Sequence, residues 1–195
     1  MKKYNFTNVN KCLAIDACSC QNMFVSPTFI NMSLGDGFNY CIPGFTEYEL
    51  LKKKIKTPTL QIKNRKSLIN RIIDGPQIKK AHLTLDDLQE LSELRVAKPN
   101  LGLGELSCIA YSKNKPLAVL TDDKRARNFA KHNMGDNKAF ETAEILANMV
   151  YTHCITDGEF SDIINEHMSA GCNMDSTYKD AQQQALYTSC FEHKF

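Results

Sequence analysis

An α/β fold, with a central and mostly parallel sheet flanked by helices and a helical C-terminal extension, is what this chain predicts, on three observations. Short apolar runs alternate with helical periodicity from Lys11 to about His132, the order of strands joined by helical crossovers. Two of those runs end in acids, at Asp16 and at Asp122-Asp123, and open α/β sheets bind ligands at the carboxyl ends of their strands. Beyond Gly135 only helical patterns remain.

In chain order, Lys11 to Asp16 reads as a short buried strand, with a helix beginning near Ala17. Phe38 to Ile42 reads as a second strand, and Pro43 opens the next helix at a position where its missing N–H costs nothing. Arg65 to Ile73 is helical and Gly75-Pro76 breaks it. Ile78 to Leu83 is a third strand. Thr84 then caps a helix, with Asp87 completing a box-like pair, and Leu85, Leu88, Leu91 and Leu94 form its core stripe. Pro99 to Gly104 is a loop and Glu105 to Ser112 a helix. The strand Leu117–Thr121 and a helix from Asp123 to about His132 follow. The last helices run over Lys138–Cys154, Gly158–Ala170 and Ser176–Cys190.

With 195 residues, 43% hydrophobic and 24% charged, the composition is that of a globular domain, and we read 1–195 as one. No apolar run has the length of a membrane span, and Met1 to Asn5 leads into no signal-peptide core, so the expected compartment is cytoplasmic, with no membrane partner. The eight cysteines include no CxxC, and Cys12, Cys41, Cys108 and Cys154 sit in apolar segments, as reduced core residues do. Cys18-x-Cys20 lacks the second half of a zinc pattern.

The net charge of +2 hides an asymmetry. Lys52 to Lys80 holds ten cations, including Lys54 and Lys56, against Asp74 alone, and we read 51–80 as a basic insertion. From Asp136 onward, ten acids face Lys138, Lys179 and Lys194. A basic stretch invites a phosphate backbone, although most charge runs are solvated faces. The acidic part (136–195) offers a surface to a basic partner or to the basic segment of a second copy.

Asp16, Glu49, Glu105 and the Asp122-Asp123 pair stand where an α/β fold can gather them. Each has a plain structural use: Asp16 and Asp123 as caps, Glu49 as an exposed helix residue beside Glu47, and Glu105 at a positive helix end. Gathered, they repel one another unless a cation lies between them. Hard Mg²⁺ or Mn²⁺ prefers such oxygens and can activate water against a phosphodiester. The cations Lys124, Arg125 and Arg127 follow at once, placed either for phosphate or for surface acids.

Four segments resemble PIN-domain ribonucleases in order and spacing: Leu13-Ala14-Ile15-Asp16, Thr46-x-x-Glu49-Leu50 after Pro43, Gly104-Glu105-x-x-x-Ile109-Ala110, and Thr121-Asp122-Asp123-Lys124-x-Ala126-Arg127. The resemblance is greatest to the bacterial and archaeal branch with Gly-Glu and Asp-Asp-Lys/Arg motifs, and it runs from about Leu13 to Asp180. It implies a PIN-like fold and a metal-dependent endoribonuclease, often the toxin of a pair whose other member is an antitoxin protein. It also implies Asp16, Glu49, Glu105 and Asp123 as ligands of Mg²⁺ or Mn²⁺, Asp122 as a second-row or alternative ligand, and Thr121 as the residue that orients a carboxylate or a metal-bound water. The substrate is then RNA, single-stranded or looped. The chain departs from the family at Ala17-Cys18, where a hydroxyl is usual; Ser19 stands one position late.

The rival reading keeps the fold without the chemistry, as an RNA- or protein-binding module. A structure-specific DNA nuclease would want a longer chain. An aspartate-nucleophile phosphatase would want an acid where Cys18 stands.

Overall fold

The computed structural model describes residues 3–53 and 57–192, so that Lys54, Lys56 and Lys194 of the charge pattern lie outside the described residues. Five parallel strands form one sheet: β1 (Cys12–Ile15), β2 (Asn39–Pro43), β3 (Ile78–Ala81), β4 (Ala118–Leu120) and β5 (Ala139–Phe140), in spatial order β3-β2-β1-β4-β5. The chain lays β2 and β3 on one side of β1, then returns to lay β4 and β5 on the other. The reversal falls between β1 and β4, where Leu13, Ala14 and Ile15 pair with Ala118, Val119 and Leu120.

Alternation along each strand divides the interior into two cores. Leu13, Ile15, Tyr40, Ile42, Ala118 and Leu120 face one core, together with α1 (Ala17–Met23), α2 (Pro27–Gly35), α4 (Leu60–Ile73), α8 (Thr142–Tyr151), α9 (Asp157–Ser169) and α10 (Asp175–Glu192). Ala14, Cys41 and Val119 face the other, under α5 (Leu85–Ala97), α6 (Leu103–Lys113) and α7 (Lys124–Met134). Burial on both faces is why the central strands read as unbroken apolar runs. At the edge, Lys79 and Lys80 of β3 point to solvent, which blunts unwanted strand pairing.

A short helix, α3 (Gly44–Glu47), and a π-helical turn (Tyr48–Lys52) follow β2. Pro43 therefore ends the strand and precedes the helix, rather than being its first residue. Three other expectations change. A helix, α2, occupies 27–35, opened by Ser26, whose hydroxyl accepts the Phe29 N–H, with Pro27 next. A fifth strand, β5, lies within what reads as all helix. The leucine stripe of α5 is only half core: Leu91 and Leu94 are buried, but Leu85 is 84% exposed. Strict spacing of three winds about 60° backward per step at 3.6 residues per turn, so Leu85 and Leu94 end on opposite sides of the helix. All eight cysteines are unbridged. No helix among the described residues is long and apolar enough to cross a membrane.

Candidate active site

The reversal between β1 and β4 is where ligands sit in open parallel sheets, and the deepest acid lies there. Asp16 extends the ladder by one bond, its N–H donating to Leu120 O at 3.1 Å. Its side chain is 1% exposed. One carboxylate oxygen accepts the Ser19 N–H at 2.8 Å, which caps α1, and the other accepts the Thr121 hydroxyl at 2.6 Å. Burial is the main influence and pushes the Asp16 pKa up to about 7; the Thr121 and Ser19 hydrogen bonds pull it down, and the nearby Asp122 adds to the rise. The Ser19 hydroxyl is buried too and makes no hydrogen bond of ordinary geometry.

Asp122 is fixed from two other elements. Asn22 of α1 donates its amide to one oxygen at 2.8 Å, and Thr142 donates its N–H to the other at 2.9 Å. The Thr142 hydroxyl also reaches this carboxylate at 3.0 Å. The residue as a whole is half-buried, but its carboxylate is enclosed, and that burial raises its pKa against the pull of these donors.

The remaining acids form a shallower rim, each at a helix start. Asp123 is the N-cap of α7, accepting the Arg125 and Ala126 N–H groups at 2.7 and 3.0 Å. Partial burial pushes its pKa up, but the combined pull of those bonds and of the Arg125 side chain outweighs it, and the net direction is down. Glu105 folds back to accept the Gly102 N–H at 2.8 Å at the start of α6. Its pKa is raised, first by burial, against that N–H, and further by Asp123 and Glu49.

Glu49 leans on the same helix end from the π-helical turn and accepts the Gly104 N–H at 3.4 Å. A Cβ at Gly104 would lie 2.5 Å from its carboxylate. An alanine there would push the Glu49 carboxylate off the Gly104 N–H. Thr46, fully buried, donates to the Gly104 carbonyl at 3.4 Å, so the first and last residues of Thr46-x-x-Glu49 grip one residue of α6. Glu47, the competing acid of that helix, is turned away to Lys80 at 3.3 Å.

All five acids thus lie around one edge of the sheet, with the field of Asp16, Asp122, Asp123 and Glu105 converging on the exposed Cys18. Among the described residues no three His, Cys, Asp or Glu side chains come close enough together to form a ready-made ion cage. Of the cations in this stretch, Lys124 is exposed and Arg125 pairs with Asp123 at 3.3 Å. Arg127 is turned inward, 8% exposed, bonding Glu141 at 2.8 Å and the Thr121 carbonyl at 3.1 Å; it holds the β4–α7 loop.

Sequence reasoning passed over Asn22 and Thr142, which lie six and 126 positions from Asp16 and carry no local signal. It also passed over two basic hollows that flank the acids. One is lined by Gln21, Glu49, Lys53, Arg65 and Lys66, drawn from the basic run; the other by Lys98, Arg125, Asn128 and His132. Compared with models of known families and with curated proteins, the chain matches none.

Proposed function

We propose that this chain is a metal-dependent endoribonuclease of PIN-like fold that hydrolyses phosphodiester bonds in single-stranded or looped RNA. The observation that carries the reading is Asp16. It is a carboxylate 1% exposed at the reversal point of a parallel sheet, with Asp122 nearby, and burial makes its charged form less favourable than that of a free carboxylate. Such an arrangement is costly empty and favourable around a divalent ion.

The donors fit Mg²⁺ or Mn²⁺. They are hard carboxylate oxygens, and the buried Ser19 hydroxyl, which makes no hydrogen bond of ordinary geometry, lies beside Asp16. Mg²⁺ keeps much of its water and needs only one or two carboxylates, so a cage of three converging side chains is not required. Asp16 would hold the ion from the sheet, with Glu49, Glu105 and Asp123 around the mouth and Asp122 behind. The ion supplies positive charge at the phosphate and a more acidic water.

The chain's own residues orient and select. Thr121 and the Ser19 N–H aim the Asp16 carboxylate, while Asn22 and Thr142 aim Asp122. Lys53, Arg65 and Lys66 on one side and Lys98 and Arg125 on the other offer phosphate contacts along a strand crossing the acids. A covalent route through Cys18 is disfavoured: although the residue is open to solvent on one side, desolvation by the protein around the thiol, then the surrounding acids, push its pKa up to about 12 and work against a thiolate. Unpaired RNA is the natural target, since its backbone and bases are open on all sides.

The test is cleavage of an RNA carrying both loops and stems by the purified protein, with Mg²⁺ or Mn²⁺, with EDTA, and with Asp16→Asn alongside. Cutting that needs the ion and is lost in the variant supports the reading. The rival binding module draws on the rim acids, each of which has a use as a helix cap. It predicts RNA binding with no ion-dependent cutting, and that result would overturn the nuclease.

A further inference from the structure

Beside the carboxylates lies a cleft of about 710 Å³ whose apolar walls the chemistry above leaves unused. Phe45, Tyr48, Leu83, Leu88 and Leu103 form its walls. Its size is that of small-ligand sites, which are mostly apolar with a few placed polar groups. Three of the wall residues are open to solvent, Tyr48 at 55%, Leu88 at 42% and Leu103 at 40%, a contiguous apolar exposure that folding alone does not call for.

The rim carries the polar groups. Glu49 stands at the end shared with the acid site, and Lys52 and Lys53 stand along one side. The π-helical turn arranges this: the Lys53 N–H donates to the Tyr48 carbonyl at 2.9 Å, closing a wide turn that returns the two lysines to the level of Tyr48. Single π turns of this kind recur at functional sites. The cleft thus presents an exposed aromatic face, two cations and, at the end shared with the acid site, the Glu49 carboxylate. An unpaired nucleotide presents a flat π face and then a phosphate, the complementary series, and single-strand binders take bases on aromatic side chains beside cations.

We propose that this cleft is a base-binding subsite, which takes an unpaired base next to the cleaved phosphate, with the base against Tyr48 and a flanking phosphate at Lys52 and Lys53. The position relative to the cut rests on the nuclease reading; the binding itself does not. The chain contains no tryptophan, so Tyr48→Trp places a single reporter at the mouth.

The experiment titrates that variant with single-stranded hexamers, A6 and U6, in EDTA, and follows Trp fluorescence. In parallel, fluorescence anisotropy gives hexamer affinity for the parent, Tyr48→Ala, Tyr48→Phe and Lys52→Ala. We expect saturable quenching, an affinity loss of about tenfold in Tyr48→Ala, and retention in Tyr48→Phe, because stacking needs the ring and not the hydroxyl. Tyr48→Ala keeps the parent's salt dependence, whereas Lys52→Ala flattens it by about one counterion.

No quenching, with Tyr48→Ala binding as the parent does, overturns the subsite whatever apolar partner the cleft takes. Cleavage in Mn²⁺ separates the two readings. Tyr48-dependent binding without any cutting supports the subsite and overturns the nuclease. Cutting with an unchanged KM in Tyr48→Ala leaves the nuclease standing and overturns the subsite.

Discussion

The deep acids and the rim acids occupy the same sheet edge under opposite physical conditions. Asp123, Glu105 and Glu49 sit at helix starts, where free N–H groups and the helix dipole favour negative charge, and each is in use without any ligand. Asp16 also caps a helix, yet it is buried, pressed by Asp122, and its pKa is pushed up to about 7. Folding explains the rim by itself. It does not explain a carboxylate so placed that its charge costs stability, and the deep pair is therefore where function must be sought.

The comparison breaks first at the scaffold of the deep pair. Arg127→Met removes the guanidinium that joins Glu141 to the Thr121 carbonyl, and loss of one partner from a buried ion pair costs about 3–5 kcal/mol. Urea unfolding checks this; a midpoint equal to the parent's would mean that the loop is held by other contacts.

Next comes pH. The folded chain keeps on Asp16 a proton that the unfolded chain, titrating near 3.8, gives up, so stability falls as pH rises from about 4 to about 7. The cost is fully present above that window and reaches at most about 4 kcal/mol. Asp16→Asn removes it. The variant should exceed the parent in Tm at pH 8 and lose that advantage at pH 4. Parallel Tm–pH curves for the two proteins would deny Asp16 its unusual state.

The rim behaves differently. Gly104→Ala sets a methyl 2.5 Å from the Glu49 carboxylate, the end of a flexible side chain that can swing off the Gly104 N–H, and should cost only about 0.5–1.5 kcal/mol, most of it absent in the Glu49→Ala background. Additive losses in that double-mutant cycle would show that the two do not press on each other. The smallest effect is at Asp123. Alanine there loses the α7 cap, at about 1 kcal/mol, while asparagine keeps it and is nearly neutral. Equal losses in both would mean that the charge, not the cap, holds the helix.

How much of this was legible in the chain differs by region in the same way. Rim acids stand beside local signals, a glycine, a cap position or an Asp-Lys-Arg run, and their helix starts are readable within a residue or two. The run Leu13–Asp16 announces the buried strand and its terminal acid. What makes Asp16 unusual was not readable, because Thr121 lies 105 positions away and Asn22 and Thr142 meet only across Asp122, 100 and 20 positions from it.

The start of α2 has a local signal, a Ser26 cap followed by Pro27 at the first helical position. The two-residue β5 is too short to carry periodicity, and its pairing with β4 exists only in the assembled sheet. The inward turn of Arg127 depends on Glu141, fourteen positions on, so the run Lys124–Arg127 cannot show which of its cations faces solvent.

The measurement that bears most directly on the deep pair as an ion site is thermal unfolding at pH 8 against Mn²⁺ concentration, for the parent and Asp16→Asn. An ion bound only by the folded state raises Tm with concentration. An ion held by Asp16 gives a rise in the parent that closes the gap to Asp16→Asn, and little or no rise in the variant, which starts higher. Equal responses in both proteins, or none in the parent, would contradict it.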